Sequence, residues 1–455
     1  MKNKFSIPRI NPAGANSKFA LMNKKIEIMA PAGSYESLEA AIKAGADSVY
    51  FGIEQLNMRA RASNNFTLED LKKIVKRCDK SKIKTYLTLN TILYDHDIFL
   101  MHKICDSAKK AGISAVIVSD ISAINYANSI GLKVHISTQT NVSNLEAVKF
   151  YSKFADVVVL ARELTLQQIK NICAEIKKQN IKGPSGKLVE IEIFVHGALC
   201  VAISGKCYMS LATSNASANR GACLQNCRKS YRVIDDETGD ELKIDNKYIM
   251  SPKDLCTIGF IDKLLDSGIS VLKIEGRGRS PDYVYAVTKA YREAVESVLN
   301  KTYTQEKIDS WIKELEKVYN RGFWQGGYYL GKKLGEWSGG YGSQSKKEKN
   351  FVGITRHYFP KTKIGEFFLQ SGEIELGDEI IITGKTTGII HQKVESLFVD
   401  EKPTSKAKKG EIITIKVNEK IRKNDKLYIV KDRKEMQDTF GKIPIIQSQK
   451  FAKNI

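Results

Sequence analysis

Residues 25–53 read KIEIMAPAGSYESLEAAIKAGADSVYFGI. Two short apolar runs, KIEIMAPAG at 25–33 and DSVYFGI at 47–53, flank a stretch whose apolar residues recur at helical spacing. Ser34 stands where a helix N-cap is wanted and Gly45 where a helix ends, which predicts a helix over 34–44. The segment is one strand–helix–strand unit. The same kind of run returns as KTYLTLN (84–90), AVIVSD (115–120), KVHISTQT (133–140), DVVVLAREL (156–164), VEIEIFVHG (189–197) and SVLKIEGR (270–277), making eight in all. Each of the first six precedes a helical pattern, as at 67–78 after the second. Strands this apolar are buried on both faces, which predicts an α/β chain folded as a (β/α)8 TIM-barrel-like domain, with an open doubly wound sheet as the alternative.

The seventh and eighth runs are separated by an insertion at about 200–268, far longer than an ordinary loop of such a barrel. It holds five of the eight cysteines, spaced Cys200-x6-Cys207-x15-Cys223-x3-Cys227-x28-Cys256. Gathered soft thiolates select zinc or iron–sulfur over hard cations. Only Cys223 and Cys227 form the close pair that structural zinc sites offer twice, so the uneven spacing is easier to reconcile with a cluster cradled by loops. Cys78, Cys105 and Cys173 lie in helical patterns and read as core residues.

The 455 residues can bury more than one core. The boundaries expected are a basic segment at 1–25, a catalytic barrel at 26–300, a helical segment and polar linker at 301–346, a small β-barrel at 347–435 and a basic tail at 436–455. With 72 Lys and Arg against 51 Asp and Glu, the net charge of +21 attracts polyanions, and nucleic acid leads among partner classes. Lysines in the turns of the C-terminal module, SKAKKGE and EKIRKNDK, are placed to meet a phosphate backbone. Residues 1–25 lack the apolar core of a signal peptide, and no apolar run reaches the roughly 18 residues of a membrane span. A soluble, cytoplasmic protein without a membrane association or an evident stable protein partner is expected.

The segment from Glu192 to Ser210 resembles the signature of peptidase family U32, the collagenase-like peptidases, at Glu192, Phe194, Gly197, Cys200, Gly205, Cys207 and Ser210. The resemblance extends over about 26–335 through FGIEQLNMRARASNNF, STQTNVSN and KIEGRGRSPDYV. It implies an oxygen-independent hydroxylase with a 4Fe-4S cluster, most similar to the branch that forms 5-hydroxyuridine at the tRNA wobble position, with prephenate as the hydroxyl donor. By resemblance, Cys200, Cys207 and Cys256 are metal ligands and the fourth is Cys223 or Cys227, of which Cys223 is taken. A ribosomal RNA cytidine hydroxylase of the same family and a peptidase are the alternatives. The sequence contains neither HExxH nor GxSxG to support proteolysis.

In a (β/α)8 barrel the residues just past the strand ends converge on the active site. His196, Arg59, Arg61 and Glu275 are expected to be catalytic, and Asn90, Gln139, Asn141, Arg162, Glu163 and Arg277 to bind substrate. Arginine forks take carboxylates bidentately, so this rim suits a small dicarboxylate co-substrate or an RNA phosphate.

Overall fold

The eight apolar runs become eight parallel strands: Glu27–Pro31, Ser48–Phe51, Lys84–Leu89, Ala115–Val118, Val134–Ile136, Val157–Val159, Glu190–Gly197 and Val271–Ile274. They pair in chain order, and the eighth pairs with both the first and the seventh, which closes the barrel. This computed structural model describes residues 26–61, 65–242, 248–332, 336–340 and 342–433, so the expected basic segments at 1–25 and 436–455 lie outside the described residues. Parallel strands need a helical crossover between neighbours, and the sequence supplies one with local signals. Helix Tyr35–Lys43 starts where the Ser34 side chain accepts from the Ser37 amide, and its chain leaves through Gly45 at φ +82°.

Most of the core lies between the strands and the surrounding helices. A second, smaller cluster fills the barrel itself with Met29, Tyr50, Tyr86, Ala115, Ile117, Val157 and Val271. Charged groups share that interior in pairs. Lys273 Nζ lies 2.7 Å from Glu192 Oε1, and His135 Nδ1 lies 3.8 Å from Glu192 Oε2. Tyr86 donates to Glu27 at 2.7 Å. A buried charge is tolerated only when paired, and these pairs meet that condition.

Residues 301–346 do more than link. Strand Phe323–Gln325, from the aromatic patch, runs parallel to Asp254–Cys256 of the insertion, which is itself antiparallel to the seventh barrel strand. The barrel sheet thus carries two extra strands on one side. The next sheet begins directly after residues 301–346, at Lys347–Phe359. The C-terminal module is an eight-stranded antiparallel sheet with its own apolar cluster around Phe367, Ile382, Ile413 and Leu427. Its strands pair in a line from Gly388–Lys393 to Lys402–Pro403. It docks on helices Tyr35–Lys43 and Pro281–Leu299: Lys43 pairs with Glu419 at 2.7 Å, Lys349 pairs with Asp282, and His391 stacks on Tyr285.

Candidate active site

The eighth strand builds the floor of the site. Lys273, Glu275 and Arg277 are two residues apart, so all three project from the same side of the chain, into the barrel mouth. Arg277 is buried and donates to Thr88 Oγ1 at 2.6 Å and to Asn57 Oδ1. A Cβ at Gly52 would collide with that guanidinium, which explains the glycine. Burial brings Arg277 down to about 10, unusually low for an arginine. Glu275 receives Arg59 Nη2 at 2.8 Å and the Tyr50 hydroxyl at 3.3 Å. Burial pushes its carboxyl up, but Arg59, then Arg162 and Arg277, outweigh this and hold it below the usual carboxylate range.

Above this floor is a cavity of about 230 Å3, walled on one side by barrel loops and on the other by the insertion. Its lining includes Arg59, Arg162, Lys273 and Arg277 from the barrel, with Arg228 and two further arginines, Arg279 and Arg321, beside them. Glu275 is the one carboxylate among the described lining residues. Arg162 stacks over the Phe194 ring at 4.5 Å and donates to the Ala198 carbonyl at 3.3 Å, while its buried Nε makes no hydrogen bond. Gln139 contributes a buried Oε1 that likewise finds no donor. A cationic hollow with an unmatched guanidinium N–H is built to take an anion, and the Gln139 oxygen to take a donor of the same ligand.

Cys200, Cys207, Cys223 and Cys227 all line this cavity, none of them in a disulfide. Burial raises the Cys227 thiol, Arg228 opposes this, and the thiols of Cys200, Cys223 and Cys207 raise it further, which marks the four as neighbours. The donor set therefore fits a metal of soft preference such as an iron–sulfur cluster. Among the described residues, however, no three ligand side chains are already drawn into metal-binding geometry. The insertion that carries these thiols is tied to the barrel: Arg220 pairs with Asp97 at 2.6 Å, Arg228 donates to the Leu199 carbonyl, and Asn141 donates to the Ser204 carbonyl at 3.1 Å.

The structure places Arg59, Glu275, Asn90, Gln139, Arg162, Arg277, Cys200, Cys207 and Cys223 together on the cavity wall. It does not bring five other expected site residues there. Cys256 is buried on its strand, raised by burial to about 12, and sits cross-strand from His196. Arg61 and Glu163 are exposed outside the lining, and Asn141 serves as a brace. His196 is turned out of the barrel, and the cause is a bulge. Glu192 and Phe194 pair with Val271 and Lys273, but His196 pairs with Ile274, two residues on one strand facing one on the other. The extra residue inverts the alternation, so His196 packs beside Tyr291, Tyr283 and Phe323. Burial there lowers it to about 3, leaving a neutral imidazole.

Gly197 follows at φ +104°, and a Cβ there would collide with the Glu275 carbonyl and stand 2.9 Å from the Tyr283 hydroxyl. Gly197→Ala should destabilise the fold by about 1–3 kcal/mol, read by chemical denaturation. An unaltered unfolding curve would mean the turn relaxes freely.

Cys227, the alternative to Cys223 in the sequence, lines the cavity as well, and sequence reasoning missed Tyr50, Lys273, Arg228, Arg279 and Arg321. A signal existed for two of them. Lys273 is a lone charge in an apolar run, which demands a buried partner, and Arg279 continues the two-residue spacing of Glu275 and Arg277.

The sequence matches Peptidase family U32 over residues 33–339. It is 58% identical over 409 residues to a protein named collagenase from Porphyromonas gingivalis strain W83, covering 90% of this chain and 99% of that one. It is 31% identical over 378 residues to tRNA hydroxylation protein P1 of Bacillus subtilis strain 168, covering 79% of this chain and 85% of that one. A 23S rRNA 5-hydroxycytidine synthase of Escherichia coli strain K12 is 33% identical over 66% of this chain, but only 44% of its own length is covered.

Proposed function

The chain belongs to peptidase family U32, and from that premise we propose that it is an RNA hydroxylase that forms 5-hydroxyuridine at the wobble position of tRNA. The observation that carries this reading is the cavity, where thiols and a surplus of guanidinium groups meet over one ionised carboxylate. Such a hollow suits an anionic co-substrate and a phosphate-bearing one together. The name of the 58% identical relative favours a second reading, peptide hydrolysis. Hydrolysis asks for an activated nucleophile, and the described cavity lining contains no histidine to activate a serine or cysteine, His196 being turned away.

In the proposed reaction, Arg277 and Arg162 hold the two carboxylates of a small dicarboxylate such as prephenate. Arg277 is kept in place by Thr88 and Asn57, and Arg162 by Phe194 and the Ala198 carbonyl. Arg59, oriented by Glu275, faces the same space and receives a phosphate or base edge of the RNA. A 4Fe-4S cluster would be held by the thiolates of Cys200, Cys207 and Cys223, with Cys227 favoured over Cys256 for the fourth place by its position on the same wall, and would supply a redox or Lewis-acid centre at the cavity. The C-terminal sheet offers a second basic surface for the body of the tRNA.

Nucleoside mass spectrometry of bulk tRNA, with and without the gene, tests the reading. Loss of 5-hydroxyuridine on deletion is expected, restored by the wild type and not by Cys200→Ala. An unchanged tRNA profile with a lost 5-hydroxycytidine would move the activity to ribosomal RNA, and cleavage of denatured collagen by the purified chain with both profiles unchanged would establish the peptidase. Iron content decides the fourth ligand: Cys227→Ala should lose the cluster absorbance and Cys256→Ala retain it, and the reverse result would assign Cys256.

A further inference from the structure

The rim of the cavity exposes aromatic and apolar side chains that packing does not explain. Tyr208 is 73% exposed although it lies between two cavity residues, Cys207 and Met209. On the loop after the third strand, Tyr94 is 53% exposed, four residues beyond the cavity residue Asn90. The Tyr94 ring is held rather than loose: the Arg220 guanidinium lies over it at 4.0 Å, and Arg220 is itself fixed by Asp97 at 2.6 Å and by the Ile92 carbonyl at 3.1 Å. His96 meets the same ring edge-on at 5.7 Å. The loop after the third strand is stitched to the insertion here, with the Ile92 amide donating to the Asn219 carbonyl. Lys206 and Arg61 are exposed on the same rim, and Asp95 is the exposed acid among them.

We propose that Tyr94, backed by Arg220, and Tyr208 form a stacking platform that takes the bases flanking the target nucleotide of a single-stranded RNA loop, so that the target itself turns down into the cavity. The inference rests on the RNA-hydroxylase reading above and deepens it. Rigid exposed rings offer a π-face to any base, and a guanidinium sandwiched on one ring extends that face. The net charge of +21 and the cationic cavity below give the charge complement to a phosphate backbone. A base must leave its stack before its C5 edge can be reached, and stacking its neighbours on protein rings compensates for that loss.

The test uses the full chain and an unmodified anticodon stem-loop carrying 2-aminopurine next to the wobble uridine. Wild type should quench the probe on binding. Tyr94→Ala and Tyr208→Ala should each weaken binding roughly 10-fold and reduce the quench, with unchanged melting temperature and an unchanged salt slope, and Tyr94→Phe should restore both. Wild-type binding that neither alanine variant alters would overturn the platform while leaving the RNA reading intact. No binding of the stem-loop by wild type would overturn the RNA reading itself. Displacement of bound RNA by a proline-rich collagen peptide, with cleavage of that peptide, would assign the rim to a polypeptide instead.

Discussion

Lys273→Met should destabilise the protein by about 3–5 kcal/mol, the cost of stranding a buried charge. Lys273 and Glu192 are both buried and lie 2.7 Å apart, so the lost ammonium takes away the nearest counter-charge of a buried carboxylate. The partner change Glu192→Gln, added to Lys273→Met, should recover much of the loss, because a neutral amide needs no counter-charge. Urea unfolding of the three variants measures this coupling as a double-mutant cycle. Equal losses in the single and double variants would mean that packing, not charge, is what Lys273 supplies.

The same pair sets an acid limit. Burial raises the Glu192 carboxyl, but Lys273 and His135 outweigh burial and hold it below its ordinary value. A carboxyl whose folded pKa is depressed contributes stability above the unfolded value of about 4.3, and that contribution is lost as pH falls through the folded value. Wild type should therefore lose stability below about pH 4, whereas in Lys273→Met only His135 still opposes burial, Glu192 moves up and this acid loss should shrink. Denaturation midpoints across pH 3–6 read the difference, and identical pH profiles would detach Glu192 from the linkage.

Arg59→Ala should reduce kcat/KM for the proposed RNA hydroxylation by about 100-fold, the usual scale for deleting a charge-assisted contact at a reacting centre. Arg59 holds Glu275 at 2.8 Å and also lines the cavity, so its removal takes away one binding group and disorients another. Among the groups around Glu275, Arg59 is the foremost cation opposing the upward pull of burial. Without it the Glu275 carboxyl moves up, and the acid limb of the pH–rate profile should shift to higher pH. The melting temperature should be unchanged, which separates the effect from misfolding. Arg59→Lys should recover only part of the rate, since a point charge does not replace a planar fork. Full turnover in Arg59→Ala would remove Arg59 from the site.

The barrel was legible in the sequence because it is written in local terms. Each apolar run is buried on both faces, and cap signals such as Ser34 and Gly45 bound the helix after the first of them, so counting runs gives the number of strands. The positions after the strands were legible for the same reason, and Arg59, Asn90, Gln139, Arg162, Glu275 and Arg277 do meet in one cavity. Direction was not legible. The alternation that carries Glu192 and Phe194 inward would carry His196 inward too, and a bulge against Lys273 and Ile274 sends it outward. Bulges depend on how two strands distant in sequence share their ladder, which no single run of residues records. Cys256 follows the same logic: pairing its strand with the seventh barrel strand buries the thiol beside His196, while Cys227, in the 3-10 turn Asn226–Arg228, reaches the cavity. The strands, the helices and the store of thiols and guanidinium groups follow from local composition. Which of them face one another follows from register and loop path, and these are set by packing between segments far apart in the chain.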